Sequence, residues 1–249
     1  MTQNPNPNSP YASTTPVGTH APYASPAQLG VKPDARLQAA FLSHAFLWMF
    51  VGLLVTAAVA YVVQSNPRIL EFAYDSFFIL FLVQIGIVVA ISAAINKLSA
   101  TAALGLFLVY AATLGITIGA IVFAYTQTSV VTAFVSASAM FGAAAVYGAT
   151  TKRSLAGLGG YLFMGLIGIL VASVLNIFLG SSGLNWIISV VGIVIFTALT
   201  AYDVQKIQSG ALAAQTGSME KAAVIGALHL YLDFINLFLF MLRLLGNRN

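Results

Sequence analysis

The sequence predicts an all-α integral membrane protein, a bundle of seven helices. Of its 249 residues, 59% are hydrophobic and only 6% are charged, whereas about a quarter of the residues in a soluble domain are charged. Seven apolar stretches approach the roughly 20 residues that a helix needs to cross a bilayer. They are too long and too uniformly apolar for barrel strands, and irregular coil does not face lipid. Residues 35–249 are therefore expected to form a single transmembrane domain.

Residues 1–34 differ from the rest of the chain in composition. Seven of the eight prolines lie there, among many Asn, Ser, Thr and Ala residues. Such a segment buries too little apolar surface to offset the entropy of ordering it, so a disordered cytoplasmic tail is expected. It lacks the basic start and apolar centre of a secretory signal. The chain has no cysteine, which excludes disulfide bonds and thiolate chemistry.

The first two spans are separated by a polar loop, 64–76, and a short turn with Lys97 precedes the third. A basic loop with Lys152 and Arg153 precedes the fifth span, and a polar loop, 203–221, precedes the last. Gly115 and Gly119 form a G-x-x-x-G pair, which favours close packing of helix backbones. The predicted spans are 41–63, 77–95, 102–124, 130–147, 161–179, 186–202 and 222–245.

The basic residues predict the orientation in the membrane, because cytoplasmic loops carry an excess of Lys and Arg. With a cytoplasmic N-terminus, Arg68 is the one basic residue on the opposite side before the last segment. A complete last crossing would also place Arg243 and Arg248 there, so a complete and an incomplete crossing both stay open. We interpret the net charge of +4 as an orientation signal and predict no nucleic-acid partner. The cytoplasmic basic residues would be Lys32, Arg36, Lys97, Lys152, Arg153, Lys206 and Lys221.

Polar side chains inside the last apolar segment mark the candidate site. His229, Asp233 and Asn236 are spaced i, i+4 and i+7, which places them on one helix face. An ionisable group at membrane depth is costly without a partner and indicates a functional site. Asp203 ends the predicted sixth span, and a short connection makes the last two helices antiparallel neighbours. A carboxylate that only fixes the bundle is the structural alternative.

Two close carboxylates in an apolar site do not both ionise cheaply, and they titrate as a pair. Such a pair holds a proton, a cation or a basic side chain. Lys97 is the candidate counter-ion by topology, whereas Lys206 is expected to extend into water. His229, one turn before Asp233, is placed to donate to it and titrates near neutral pH. A hydrogen-bonded histidine without a pH role is the alternative.

Calcium takes six to eight oxygen ligands. Asp203, Asp233, Asn236 and backbone carbonyls would form only a weak or transient calcium site. The sequence contains no EF-hand, zinc-protease, phosphate-loop or nucleophile-elbow motif. We therefore predict that the protein is not an enzyme and has no cofactor apart from transient calcium.

Three motifs resemble those of the Bax inhibitor family, the transmembrane Bax inhibitor motif proteins: WMFVGLLVT at 48–56, YDVQKI at 202–207 and LHLYLDFINLF at 228–238. The resemblance covers roughly residues 35–247 and identifies the chain as a bacterial member. It implies a last helix enclosed by the other six, and a pH-sensitive calcium leak gated by Asp203 and Asp233. A role in the stress response or in suppressing cell death, and location in the bacterial inner membrane, are also implied.

Two departures from the family pattern bear on gating. His229 stands where the family has a small polar residue, and Lys97 stands for a basic residue, often Arg, near the second helix. Both departures would alter the pH range of gating.

Two other functions remain open. A scaffold would bind membrane proteases or other membrane proteins within the lipid without transporting ions. An intramembrane aspartyl protease is suggested by the dipeptide at Tyr202 and Asp203, but Gly160 follows GLG at 157–159 where that class has Asp.

Overall fold

The computed structural model describes residues 35–248, with side chains from Ala39 onward. The predicted tail, 1–34, lies outside the described residues. Over the described range the chain forms nine α-helices, and the prediction of a helical membrane bundle is confirmed. The helices are α1 (Ala35–Ser65), α2 (Pro67–Asp75), α3 (Phe77–Ala94), α4 (Ala100–Phe123), α5 (Gln127–Thr150), α6 (Gly159–Leu179), α7 (Ser182–Gln208), α8 (Ala211–Thr216) and α9 (Met219–Leu245).

Hydroxyl side chains begin four of the spanning helices. Ser99, Thr126, Ser181 and Ser218 each accept a hydrogen bond from a backbone N–H in the first turn of α4, α5, α7 and α9. These caps satisfy donors that have no partner within the helix. Each of these four helices therefore begins at the residue that follows its hydroxyl cap.

Two short helices lie in segments that were expected to be polar loops. Asn66 caps α2, which buries Ala73, and α8 lies in the connection between α7 and α9. Helices of six to nine residues lack the long apolar run that marks a span. The sixth span also continues as α7 to Gln208, so Asp203 lies inside this helix rather than at its end.

The last spanning helix, α9, lies at the centre of the bundle. Its most apolar stretch is 78% buried, compared with 17% in α3 and 6% in α6. The main wall around α9 consists of four spanning helices, α1, α4, α5 and α7. Helices α3 and α6 pack on the outside, against α4 and α7. The enclosure of the last helix is thus supported, with α3 and α6 in an outer position.

Glycines set the closest helix contacts. A Cβ atom at Gly115 would lie 2.8 Å from the carbonyl oxygen of Thr56, and one at Gly119 would lie 2.8 Å from the Cβ of Val63. The G-x-x-x-G pair therefore packs α4 directly on α1, as predicted. In the same way, Gly148 of α5 lies against the backbone of Ala201 in α7.

The complete crossing of the last segment is favoured by its length and its C-terminal contacts. Helix α9 is continuous over 27 residues, about 40 Å. Beyond it, Asn247 accepts a hydrogen bond from the Thr126 backbone N–H at 3.0 Å and donates its own N–H to the Ser129 hydroxyl at 2.8 Å. The segment just beyond α9 is therefore fixed at Asn247 to the turn between α4 and α5. This turn lies at the end of the bundle opposite the start of α1, and Arg243 and Arg248 lie there too.

Candidate functional site

Asp203 and Asp233 are brought together where α7 packs along α9. Their exposed fractions are 8% and 4%, and the two carboxyl groups lie within the range of electrostatic interaction. Gly226, two turns before Asp233, allows this approach, because a Cβ there would lie 3.0 Å from the Ile207 side chain of α7. The two carboxyl groups thus face a common interior position in an otherwise apolar bundle.

His229 adds a third titratable group to this position. Its Nδ1 lies 3.6 Å from Oδ1 of Asp203, too far for a hydrogen bond but within the range of an ion pair when the imidazole is protonated. The His229 Nδ1 and the Asp233 Oδ2 are buried, and neither has a hydrogen-bond partner among the described residues. His229 therefore faces the carboxylate of α7 and does not donate to Asp233, the partner suggested by their spacing along α9. We call Asp203, Asp233 and His229 the acidic cluster.

Asn236 makes a local contact. Its Nδ2 donates to the Leu232 carbonyl at 2.8 Å, within α9. The amide donor is therefore used by its own helix and takes no part in the contact between Asp203 and His229.

The structure does not place Lys97 at the acidic cluster. Lys97 is exposed in the turn between α3 and α4 and forms no ion pair with Asp203 or Asp233 within the described range. The expected counter-ion is absent because α3 packs on the outside of α4, away from the contact of α7 with α9. Lys206, which was expected to extend into water, is half-buried on α7, and its Nζ lies 5.8 Å from the centre of the Tyr202 ring.

The acidic cluster offers few ligands for a metal ion. Across residues 35–248, no three His, Cys, Asp or Glu side chains come together in a metal-binding group. Two carboxyl groups and a histidine provide fewer oxygen ligands than the six to eight that bind calcium firmly. The donor set fits contact with a passing cation better than a resident ion.

Gln205 is a positioning residue that sequence reasoning left without a role. Its Oε1 accepts from the Leu155 N–H at 2.7 Å, and its Nε2 donates to the Arg153 carbonyl at 2.9 Å. The side chain thus fixes the loop between α5 and α6 to α7, two residues beyond Asp203. The YDVQKI motif contained this residue, but its partners lie about 50 positions away in the sequence.

Tyr231 is a second residue whose contact sequence reasoning missed. Its hydroxyl lies 2.5 Å from the Thr56 Oγ1, which is also 2.9 Å from the Ala111 carbonyl oxygen. These contacts join α9 to α1 and α4. Tyr231 belongs to the LHLYLDFINLF motif, two residues before Asp233. This position in the motif was the one sequence feature that could have indicated a role for Tyr231.

Comparison with known proteins gives consistent matches along the chain. The family model described as "Inhibitor of apoptosis-promoting Bax1" matches residues 38–249. The inner membrane protein YbhL of Escherichia coli (strain K12) is 43% identical over 224 residues, covering 88% of this chain and 95% of that protein. A protein of Borreliella burgdorferi (strain B31) is 45% identical over 222 residues, covering 87% and 96%. The family-model match includes all seven spanning helices and both motifs that contain the acidic cluster.

Proposed function

The chain belongs to the Bax inhibitor family, and from this premise we propose that it is a pH-sensitive calcium leak channel gated by Asp203 and Asp233. Its setting is a bacterial inner membrane, and its cellular role is in the stress response or in suppressing cell death. The calcium ion is the transported substrate and makes only transient contact with the two carboxyl groups.

One observation carries this proposal: the two carboxyl groups of the acidic cluster are buried inside an otherwise apolar bundle. Ionisable groups at membrane depth are costly and usually mark an ion or proton pathway. Well-packed apolar side chains often stabilise such a position as well as a buried ion pair does, or better. The cluster therefore supports a role beyond packing.

The pH response follows from the groups that face one another. Helices α4 and α5, which also pack against α9, contain no charged residue. On α1, His44 faces the start of α9 beside Glu220, and on α7, Lys206 lies one turn beyond Asp203. Asp203 and His229 are in ion-pair range at the contact of α7 with α9, and Asp233 lies one turn beyond His229. Protonation of His229 strengthens its attraction to Asp203, whereas protonation of a carboxyl group weakens that attraction and also lowers the local negative charge. The sign of the flux change depends on this balance, and likeness to the family favours a faster leak at mildly acidic pH.

Calcium flux into proteoliposomes across a pH series tests the proposal. The proteins are the wild type, Asp203→Asn, Asp233→Asn and the double variant, with Asp75→Asn as a matched control. Asp75 is an exposed carboxylate at the end of α2, away from the acidic cluster.

Each single substitution in the pair is expected to flatten the pH profile with little change in shape. The double variant should show less than the sum of the two effects, because interacting sites are not additive. Asp75→Asn should keep the wild-type profile. If both single variants in the pair also kept it, the two aspartates would be structural and the gating mechanism would be wrong.

A scaffold that regulates membrane proteases without transport is the second candidate. The outer position of α6, whose most apolar stretch is only 6% buried, leaves a long helix face available to another membrane protein. Purified protein that passes no calcium at any pH would favour the scaffold over the channel.

A further inference from the structure

A crevice of about 670 Å³ opens between α5 and α7, next to the loop that joins α5 to α6. We call it the α5–α7 crevice. It lies apart from the acidic cluster, whose three residues do not line it. Its volume falls in the range of ligand sites, roughly 300–1,000 Å³.

The α5–α7 crevice is apolar along its length and basic at one end. Ala144 of α5 and Val194 and Ala198 of α7 line its walls, and Arg153 lies at the loop end. Arg153 is exposed and forms no ion pair within residues 35–248. No acidic residue occurs between Arg153 and Tyr202, and Lys152 adds a second exposed positive charge. The loop end of the crevice therefore favours an anion.

The loop is held in place without a ligand. Gln205 binds the backbone on both sides of Ser154, and Leu155 is buried against Ala144 and Ala201. The backbone of Arg153 is thus fixed before any ligand arrives. Preorganisation of this kind lowers the entropy cost of binding.

The crevice opens toward lipid. Its neighbours Tyr147 and Val194 are 52% and 63% exposed on the outer surface of spanning helices. Arg153 lies three residues beyond the end of the spanning helix α5, and the ends of spanning helices lie near the head-group region of a bilayer. From Val194 to Ala201 the apolar wall extends about 10 Å along α7, enough for part of an acyl chain.

We propose that the α5–α7 crevice is a binding site for an anionic phospholipid, with its phosphate on Arg153 and an acyl chain between α5 and α7. The Arg guanidinium matches the geometry of a phosphate and binds it with two parallel hydrogen bonds. Basic pockets between transmembrane helices commonly bind anionic head groups. This site does not depend on the proposed channel function, and its test needs no measurement of flux.

Native mass spectrometry of the purified full-length protein tests the proposal. Phosphatidylglycerol and phosphatidylcholine with the same acyl chains are titrated against the wild type, Arg153→Gln and Ala198→Phe. Lys97→Gln is the matched control, because it removes an exposed positive charge from a different loop on the same side of the bundle. Val194→Phe, at an exposed wall position, replaces Ala198→Phe if that variant fails to fold.

The wild type should bind one phosphatidylglycerol more tightly than phosphatidylcholine. Arg153→Gln should weaken this first binding event about tenfold or more, since hydrogen bonds to a charged group are lost. The phenylalanine in Ala198→Phe fills the crevice and should abolish that event, whereas Lys97→Gln should leave it unchanged.

Three results would overturn the proposal. Equal binding of both lipids to the wild type would exclude recognition of the anionic charge. Unchanged phosphatidylglycerol binding in Arg153→Gln and the phenylalanine variant would mean that the bound lipid is annular only. Competition by glycerol phosphate at the same concentration as the lipid would indicate a phosphate site without an acyl chain.

Discussion

The placement of α9 predicts an unequal response to removing either hydroxyl of the Thr56–Tyr231 pair. The Thr56 Oγ1 and the Tyr231 hydroxyl lie 2.5 Å apart, and their residues are 3% and 0% exposed. The Thr56 hydroxyl also reaches the Ala111 carbonyl at 2.9 Å. Each hydroxyl has one hydrogen, so Tyr231 donates to Thr56 while Thr56 donates to a backbone carbonyl.

The two substitutions differ in what they leave behind. Tyr231→Phe removes one hydrogen bond, and Thr56 keeps its carbonyl acceptor, which costs about 0.5–1.5 kcal/mol. Thr56→Val leaves the Tyr231 hydroxyl buried without this partner, which costs about 1–3 kcal/mol. With both changes no hydroxyl is left unpaired, so the double variant should be more stable than Thr56→Val alone.

The assay is the free energy of unfolding in detergent for the wild type, both single variants and the double variant. Thr150→Val is a control, because the Thr150 hydroxyl is exposed and donates only within α5, to the Val146 carbonyl. It should change stability by less than either buried substitution. A double variant as unstable as the sum of the singles, or Tyr231→Phe costing more than Thr56→Val, would refute the reasoning.

Three further predictions concern other contacts of the bundle. Ser129→Ala removes the acceptor of the Asn247 N–H and should lower the free energy of unfolding by about 1–3 kcal/mol, as measured by thermal unfolding. Hydrogen exchange of the Asn247 amide should also become faster, and unchanged exchange there would contradict the contact. Gly115→Ala forces α4 away from α1 and should lower the free energy of unfolding by about 1–3 kcal/mol. Gly105 lies on the same helix in open space, so Gly105→Ala should leave the free energy of unfolding unchanged or raise it by up to about 1 kcal/mol. Gln205→Leu should speed hydrogen exchange across the loop 151–158 while the spanning helices keep their protection; uniform loss of protection would indicate general unfolding.

The spanning helices could be predicted because lipid restricts the possible structures. A long apolar segment in a bilayer satisfies its backbone only as a helix, and span 186–202 lies inside α7 (Ser182–Gln208) for this reason. The ends were less predictable, because helical hydrogen bonding continues through polar residues beyond the apolar run. The continuation from Asp203 to Gln208 is the clearest example.

Local spacing and motifs were enough to predict which polar residues belong to the candidate site, but not which basic residue faces them. The spacing of His229 and Asp233 along α9, together with the motif around Asp203, indicated which polar groups lie at the contact of α7 with α9. The basic partner of the two aspartates depends on which helices pack side by side, and the hydropathy of the sequence does not determine this packing. Lys97 was favoured by topology, but α3 lies outside α4 and His229 occupies the position facing Asp203.

The two faces of α9 differ in a way that bears on how the proposed gate would move. Toward α1 and α4, Tyr231 makes a buried hydrogen bond to Thr56, which anchors α9. Toward α7, Asp233 Oδ2 and His229 Nδ1 lack hydrogen-bond partners among the described residues, and such unsatisfied buried groups are costly. A rearrangement that brings water, a proton or a cation to these atoms recovers part of that cost, so the contact with α7 is the one that such a ligand would shift. Because Gln205 ties α7 to the loop between α5 and α6, we expect α7 and this loop to move together against a stationary α9.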